Sequence, residues 1–474
     1  MIIQLLRVLS LMVLLLPCFG QAITLEDYLT EVQTKNGGVK GVKLSSESKE
    51  LRLSEGSLFF KPSFFLTGEY FDDRRPTNAP TFQGTQTIRH TLRTGLAQNF
   101  RTGTRATVSY NYFNTQINGA NPAFLPNRQF IDVAPMLELS QSLWRNFLGS
   151  EFEANETVVK AQAEAQSFQE RFTHKQLLLQ AENAYWRLYF AQTSLKVQKE
   201  SLERAKRLRD WNAGRVRSNL VDSSELLQAE ANLQNRELEY QDTLTEIDSA
   251  LRDFNSIREG TGDVNLEGTK GKDSSYILNA TLPAKAKLRE DVVAAIASQR
   301  AATANAQLGT QRNKPNLELY GSYAMNGRDG KSAADAYDMA ATATRPTSVV
   351  GVRFSTPLDF GALGDYKRAY AQEVAASEMT SKRKIFEVER EWELLSERFS
   401  NFKTRLKLSR ELVAIQEKKL LAEKRRYNQG RTTTFQVLQF EQDFANAQLL
   451  KLRNERELIA VYNQLKLFSG AANE

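Results

Sequence analysis

The sequence predicts an α+β membrane protein, with strands of a transmembrane β-barrel carried by long coiled-coil helices and arranged as an internal two-fold repeat. Three observations predict it. Segments of about ten residues alternate apolar and polar side chains, as the strands of such a barrel do. Apolar residues recur every seven along highly charged stretches, as in packed helices. A helix stop followed by a new helix occurs twice, and 430 − 219 = 211 residues separate the two copies.

Composition sets the limits. The chain has 474 residues, 25% of them charged, and a formal net charge of +7. Its mean hydropathy of −0.47 excludes a bundle of membrane-spanning helices. The excess positive charge is spread over Lys/Arg/Glu-rich helices, which reads as solvated helix faces; no nucleic-acid module accompanies it. Residues 1–22 read as a secretory signal peptide: Arg7 is positive, Leu11 to Pro17 is apolar, and Gly20-Gln21-Ala22 offers small residues for cleavage. The expected mature start is Ile23. Cys18 is the only cysteine and leaves with the signal, so packing or oligomerisation must hold the mature chain. A lipoprotein would instead be cleaved before Cys18, with Pro17 a poor preceding residue.

The first repeat is expected over residues 23–257. A short helix at 24–34 is capped by Thr24, with Asp27 three residues on, and a weaker helical pattern covers 37–58. Lys61-Pro62 ends helix and opens strand. From Ser63 the period is two, and strands are expected within 63–143. Phe64, Leu66 and Tyr70 share one face; Leu92, Leu96 and Phe100 line a second segment. Ala106, Val108, Tyr110 and Tyr112 line a third; Val133, Pro135, Leu137 and Leu139 line a fourth. Polar loops are expected at 73–91 and 115–130, and a tight turn at Arg101-Thr102-Gly103-Thr104. A soluble β-sandwich is the alternative for such alternation. The signal peptide and the long flanking helices favour the barrel.

Residues 145–217 would span roughly 110 Å as one helix, at about 1.5 Å per residue. No single globular domain needs such a rod. The helix stops near Asn219, and a new one carries Leu226, Leu233, Tyr240, Ile247 and Phe254 in heptad steps. Residues 258–283 hold Gly260, Gly262, Gly268, Gly271 and Pro283 and read as a linker. The second repeat is expected over 284–470, with Lys314-Pro315 again opening strand and two strands within 316–358. A long helix follows, with Ile385, Trp392, Phe399, Leu406, Val413, Leu420 and Tyr427 at heptad spacing, up to a second stop at Gly430. Asn and Gly are the residues that most readily take the left-handed conformation ending a helix. A short tail, 471–474, closes the chain.

Catalytic and cofactor chemistry is missing. The two histidines, His90 and His174, and one non-mature cysteine cannot assemble a zinc cluster. Gly271-Lys272 is followed by Asp273 and lacks the earlier glycine of a phosphate-binding loop. No Gly-x-Ser-x-Gly elbow occurs. No enzyme, cofactor or metal is expected.

The duplicated order of helix, strands, long helix, turn and helix resembles the TolC-like outer-membrane efflux protein family over nearly all of the mature chain. The most specific matches are Ser218-Asn219-Leu220-Val221 with Leu226-Leu227-Gln228-Ala229-Glu230, and Tyr427-Asn428-Gln429-Gly430 with Val437-Leu438-Gln439. Ile23-Thr24-Leu25-Glu26-Asp27-Tyr28 also looks like the family's mature start. The resemblance implies a homotrimer whose strands build one outer-membrane β-barrel, continued by a periplasmic α-helical coiled-coil barrel. It implies the exit duct of a tripartite export system, for efflux of small molecules or type I secretion of protein. The partners would be a periplasmic adaptor (membrane fusion) protein, an inner-membrane transporter of RND or ABC type, and outer-membrane lipid, but no nucleic acid. Family ducts contribute four strands per protomer. This chain offers about six, so a trimer using all of them would have eighteen.

The resemblance also implies site residues. The tips near Asn219 and Gly430 would form the periplasmic entrance, with Ser218, Asn219, Leu220, Val221 and Gly430 meeting the adaptor. A tyrosine, an acid and an arginine hold the closed entrance in drug-efflux members. Tyr427 matches the tyrosine and Glu225 the acid. The arginine position falls on Thr432, with Arg431 adjacent. The bland reading is that Glu225 and Arg431 are solvated helix-end charges, worth about 0–1 kcal/mol if exposed. Aspartate rings of those members align with Gln436 and Gln439, both neutral here, which predicts weaker cation selectivity and weaker block by multivalent cations. Two other functions compete: an envelope protein of the same fold without a pump, and a soluble periplasmic coiled-coil scaffold.

Overall fold

The computed structural model describes residues 23–266 and 280–469. The expected signal peptide, part of the linker at 258–283 and the tail at 471–474 lie outside the described residues. In chain order the elements are α1 (Leu25–Lys35), α2 (Gly37–Leu51), α3 (Glu55–Leu58), β1 (Ser63–Asp73), α4 (Pro80–Gln83), β2 (Gln86–Asn99), β3 (Thr104–Asn118) and β4 (Gln129–Ser142). Then come α5 (Ser150–Arg217), α6 (Ser223–Arg258), α7 (Glu290–Arg312), β5 (Asn316–Met325), β6 (Gly327–Asp329), α8 (Ala333–Ala341), β7 (Pro346–Ser355), α9 (Phe360–Asn428) and α10 (Thr434–Lys466). Contacts divide the chain into two units. One comprises residues 47–167 and 294–383 and holds the strands; the other comprises residues up to 46, 168–293 and from 384 onward.

In the strand unit one antiparallel sheet runs β1-β2-β3-β4-β5-β7, with β6 also pairing β4. The alternation read from sequence sorts cleanly onto its two faces. Phe64, Leu66, Leu96, Val108, Val350 and Val352 share one face and are all exposed. The other face is polar and crowded. There Arg93 pairs with Glu138 at 2.8 Å, Arg328 with Asp132 at 2.6 Å and Arg353 with Glu318 at 3.4 Å. Ser109, Asn111 and Thr115 are buried among them. One hydrogen-bonded row runs Ser63, Ala97, Thr107, Glu138, Ser322, Val349. It reaches β7 at 355 − 349 = 6 residues from that strand's end, although it leaves β1 at its first residue. Six residues of ~3.3 Å rise over five spacings of ~4.8 Å incline the strands by roughly 40° to the normal of the line through their ends.

Two details differ from the expectation. The loops expected at 73–91 and 115–130 are shorter, because β2 begins at Gln86 and β3 runs to Asn118. Those added rungs carry polar residues on both faces, so their period is hidden in the sequence. The loop expected between the second repeat's strands holds β6 and α8. Asn326 breaks the line after β5, and its side chain donates to the Arg345 carbonyl at 2.9 Å. The helix then folds onto the apolar face, with Ala336 packed on Ile131 and Val133.

The turn joining β2 to β3 is tied to the start of α5. Phe100 N–H donates to the Thr104 carbonyl, and Gly103 takes φ 77°. Arg101 pairs with the buried Glu156 carboxylate at 2.7 Å and lies 4.4 Å from the Phe60 ring centroid. Gly149, at φ 75°, sits so close that a Cβ there would lie 1.9 Å from the Arg101 carbonyl oxygen.

In the helical unit, Thr24 caps α1 as expected, accepting from the Asp27 N–H at 3.1 Å. Tyr28 stacks on Phe254 with centroids 4.2 Å apart, fastening α1 to α6. The heptad series packs inward. Leu188, Leu202, Leu233 and Phe254 are buried, as are Phe399, Leu406, Leu420 and Tyr427. At the head of α7, Arg289 forks onto Asp291 at 2.7 and 2.8 Å and donates to Glu391 at 2.9 Å. Its guanidinium lies between the rings of Phe172 and Phe468, at 4.9 and 4.5 Å from their centroids. Lys384 is 2.9 Å from the same aspartate. Burial opposes ionisation of Asp291, but hydrogen bonds from Arg289 and Lys384 outweigh it and hold the carboxyl below its usual range. Among the described residues no helix is long and apolar enough to cross a membrane.

Candidate functional site at the helical tips

The two tips are built alike. α5 ends at Arg217 and α9 at Asn428, and 428 − 217 = 211; α6 starts at Ser223 and α10 at Thr434, and 434 − 223 = 211. Asn219 takes φ 53° and Gly430 φ 72°. Asn219 N–H donates to the Val216 carbonyl and Leu220 N–H to that of Arg215, both at 2.9 Å. Gly430 N–H donates to Tyr427 and Arg431 N–H to Arg426 with the same spacings, again at 2.9 Å. Paired bonds of this kind around a left-handed residue close a helix by satisfying its last carbonyls. New helices are then capped by Asp222, which accepts from Ser224 N–H at 2.8 Å, and by Thr433. The bond from the Ser224 backbone holds the Asp222 carboxyl below its usual range. Ser218 and Leu220 are exposed on the first tip, while Val221 is half-buried.

Behind the tips four helices meet at one hydroxyl. Thr434, on α10, is fully buried. It donates to the Glu225 carboxylate of α6 at 2.6 Å and lies 2.9 Å from the Tyr427 hydroxyl of α9. Asn212 of α5 completes the group, with Oδ1 2.7 Å from Tyr427 Oη and 3.1 Å from Thr434 Oγ1. In that orientation the buried Asn212 Nδ2 has no partner. Two hydroxyl protons would then have to serve all these short contacts. Rotating the amide by half a turn lets Nδ2 donate to both hydroxyls, Tyr427 donate to Thr434, and Thr434 donate to Glu225. Proton counting therefore favours that arrangement.

The structure thus brings Tyr427 and Glu225 together through Thr434. It does not bring Arg431 to them: that side chain is exposed and forms no ion pair among the described residues. The guanidinium near the tyrosine is that of Arg215, 5.4 Å from its ring centroid. Thr432 donates to Glu423, and the Gln436 amide end lies 2.7 Å from the same hydroxyl. Gln436 and Gln439 are exposed one helical turn apart, and Gln439 Nε2 donates to Asp443 at 3.2 Å. Asp443 therefore shares the face of the two glutamines, with Lys419 at 3.3 Å.

Sequence reasoning missed Asn212, Thr434 and a clamp farther along the helices. There the buried Glu441 of α10 is gripped by Arg204 of α5 at 2.7 Å and Lys424 of α9 at 2.5 Å. A signal existed. Glu441 and Glu230 close the two repeated Leu-Gln-x-Glu patterns, but Glu230 is exposed while Glu441 is buried. Among the described residues, no cluster of His, Cys, Asp and Glu could hold a metal ion.

No protein-family model and no curated protein matches the sequence. Solved structures do match its fold. The Campylobacter jejuni CmeC outer membrane channel aligns over 95% of this chain and 87% of its own, at 15% identity and TM-score 0.64. The Vibrio cholerae outer membrane protein VceC aligns over 94% and 96%, at 11% identity and TM-score 0.65. The open state of the Neisseria gonorrhoeae MtrE outer membrane channel aligns over 94% and 89%, at 13% identity and TM-score 0.64. Identities this low speak for architecture alone, and on that ground the chain has the fold of the TolC-like outer-membrane channels.

Proposed function

We propose that the protein is the outer-membrane exit duct of a tripartite export system, working as a homotrimer. The observation that carries this reading is the sheet with one exposed apolar face and one polar face that carries charged residues, three pairs of them bridged. An apolar face of that extent is a liability in water and a requirement in lipid. It weighs against the soluble scaffold. Six strands alternate in direction, so the free edge of β7 runs antiparallel to the free edge of β1 in another copy. Edge-to-edge pairing would remove both open edges. The inclination of roughly 40° falls in the range that closed barrels need.

Three copies would then contribute eighteen strands, against the family's twelve, and a wider pore. The extra strands have a source. The two Lys-Pro strand openings are 314 − 61 = 253 residues apart, the two tips 211, and the difference is 253 − 211 = 42. The first repeat therefore carries an insertion of that size between β1 and α5, where the β2–β3 hairpin lies. The helical hairpins would form the periplasmic tunnel, and the group around Thr434 would hold the entrance. An adaptor protein would contact Ser218, Asn219, Leu220, Val221 and Gly430, and an inner-membrane transporter would select the cargo.

The test is in-cell photo-crosslinking from position 220 or 432, with the captured protein identified by mass spectrometry. An adaptor is the expected capture. A detergent-extracted trimer that conducts ions but captures no adaptor would move the protein to an envelope role without a pump.

A further inference from the structure

The β2–β3 hairpin differs from the rest of the sheet in charge. Its polar face carries Arg89, Arg93 and Arg105 and no carboxylate. The polar face of the other strands carries Glu69, Asp73, Asp132, Glu138 and Glu318, against Arg328 and Arg353. Without the hairpin the strand residues of that face would sum to 2 − 5 = −3 per copy, or 3 − 5 = −2 with Arg75, which pairs with Asp73 at 2.6 Å just beyond β1; with the hairpin the sums are 5 − 5 = 0 and 6 − 5 = +1. Arg93 is committed to Glu138. Arg89 and Arg105 are exposed and form no ion pair among the described residues. Their cross-strand neighbours are Phe71 and Thr115 for Arg89, and Asn99 and Ser140 for Arg105. Arg105 lies at the end nearest the α5 base and Arg89 toward the opposite loops. The three arginines form a file up the hairpin, about 20 Å and then 14 Å apart at ~3.4 Å per residue.

We propose that this hairpin is the selectivity element of the outer-membrane lumen: its free guanidiniums offset an otherwise acidic lining and admit anionic solutes bearing carboxylate or phosphate. The inference rests on the channel reading above, in which the polar face lines the lumen. Exposed charges act across a pore only within a Debye length, which is ~30 Å at 0.01 M salt and ~3 Å at 1 M. The neutral Gln436 and Gln439 leave the barrel's share readable.

The test uses the full-length protein in planar bilayers under a KCl gradient, with the chloride-to-potassium permeability ratio taken from the reversal potential. The double variant Arg89→Gln/Arg105→Gln should lower the ratio by roughly threefold near 0.01 M salt and leave it unchanged near 1 M, where screening removes the field. Arg89→Lys/Arg105→Lys should keep the wild-type ratio, and Glu69→Gln should raise it. A conducting double variant with an unchanged ratio at low salt overturns the proposal and leaves the channel reading standing. A wild-type protein that forms membrane trimers but passes no current overturns the channel reading, and this inference with it.

Discussion

Replacing Thr434 with valine keeps its shape and removes its hydroxyl. The structure sets the size of the loss. Thr434 is fully buried and donates to the Glu225 carboxylate at 2.6 Å, with Tyr427 at 2.9 Å on its other side. A hydrogen bond to a charged group contributes about 1.5–3 kcal/mol and a neutral one about 0.5–1.5. Thr434→Val should therefore ease opening of the tips by about 2–4 kcal/mol, or roughly 30- to 700-fold in the opening equilibrium. Hydrogen exchange with mass spectrometry on the detergent-solubilised protein reads this directly. Amides around Asn219 and Gly430 should exchange faster by a factor in that range, while those of β3 should not change. Glu225→Gln should be strongly non-additive with Thr434→Val, because each removes the same bond. Tip exchange equal to wild type, or strict additivity of the two variants, would refute the claim that this hydroxyl joins the two hairpins.

Four further outcomes are expected. Glu441→Ala should destabilise the helical unit by about 3–5 kcal/mol in denaturant titration, since it leaves the Arg204 and Lys424 charges at a buried site without their shared carboxylate. Asp291 has a folded-state pKa below its ordinary 3.8, so its stabilisation is present above that value and lost as pH falls through the folded one. The melting-temperature gap between wild type and Asp291→Asn should accordingly be constant from neutral pH down to about pH 5 and close below about pH 4. If three copies close as proposed with their strand ends level, Leu66 of one copy would face Val352 of the next across a β1–β7 seam, and Leu66→Cys with Val352→Cys should give a disulfide-linked trimer. A monomer band after oxidation would count against that seam. Gln436→Asp/Gln439→Asp should create block by multivalent cations in single-channel recordings; strong micromolar block of the wild type would contradict the neutral-entrance argument.

The parts legible in the sequence were those where a period or a repeat spans many residues. The alternation at Phe64, Leu66 and Tyr70, the heptads ending at Tyr427, and the 211-residue offset each gave an element and its partner. Asn219 and Gly430 could be read as stops because few residue types tolerate positive φ. The upper rungs of β2 and β3 could not. Thr87, Arg89, Thr115 and Gln116 lie where neither face is apolar, and composition there resembles a loop. β6 is three residues long, too short for any period, and α8 is held by alanines packed against strands that only the fold brings near. At the tips, Tyr427 and Glu225 are singled out only by resemblance. Thr434 was not, because a threonine in the run Thr432-Thr433-Thr434 is distinguished only by depth. Glu441 looked like any solvated glutamate, since the residues that bury it, Arg204 and Lys424, lie on other helices.

The strand order has a consequence for how the protein is made. β1 to β4 pair with their neighbours in sequence and can form hairpin upon hairpin as the chain emerges, which is the fast kind of sheet formation. The β4–β5 joint is different. Met136 meets Ala324, which lies 324 − 136 = 188 positions farther along the chain. While α5, α6 and α7 are being completed, β4 must wait with an open edge. The β5 strand of another copy presents the same residues in the same direction as its own. In a trimer of the proposed kind, a domain-swapped form with each β5–β7 pair seated on a neighbour's β4 would thus be nearly isoenergetic in the sheet with the unswapped form. The outcome in the cell would then depend on local concentration and timing, and on how soon α5 and α9 of one chain find each other, rather than on the stability of the finished sheet.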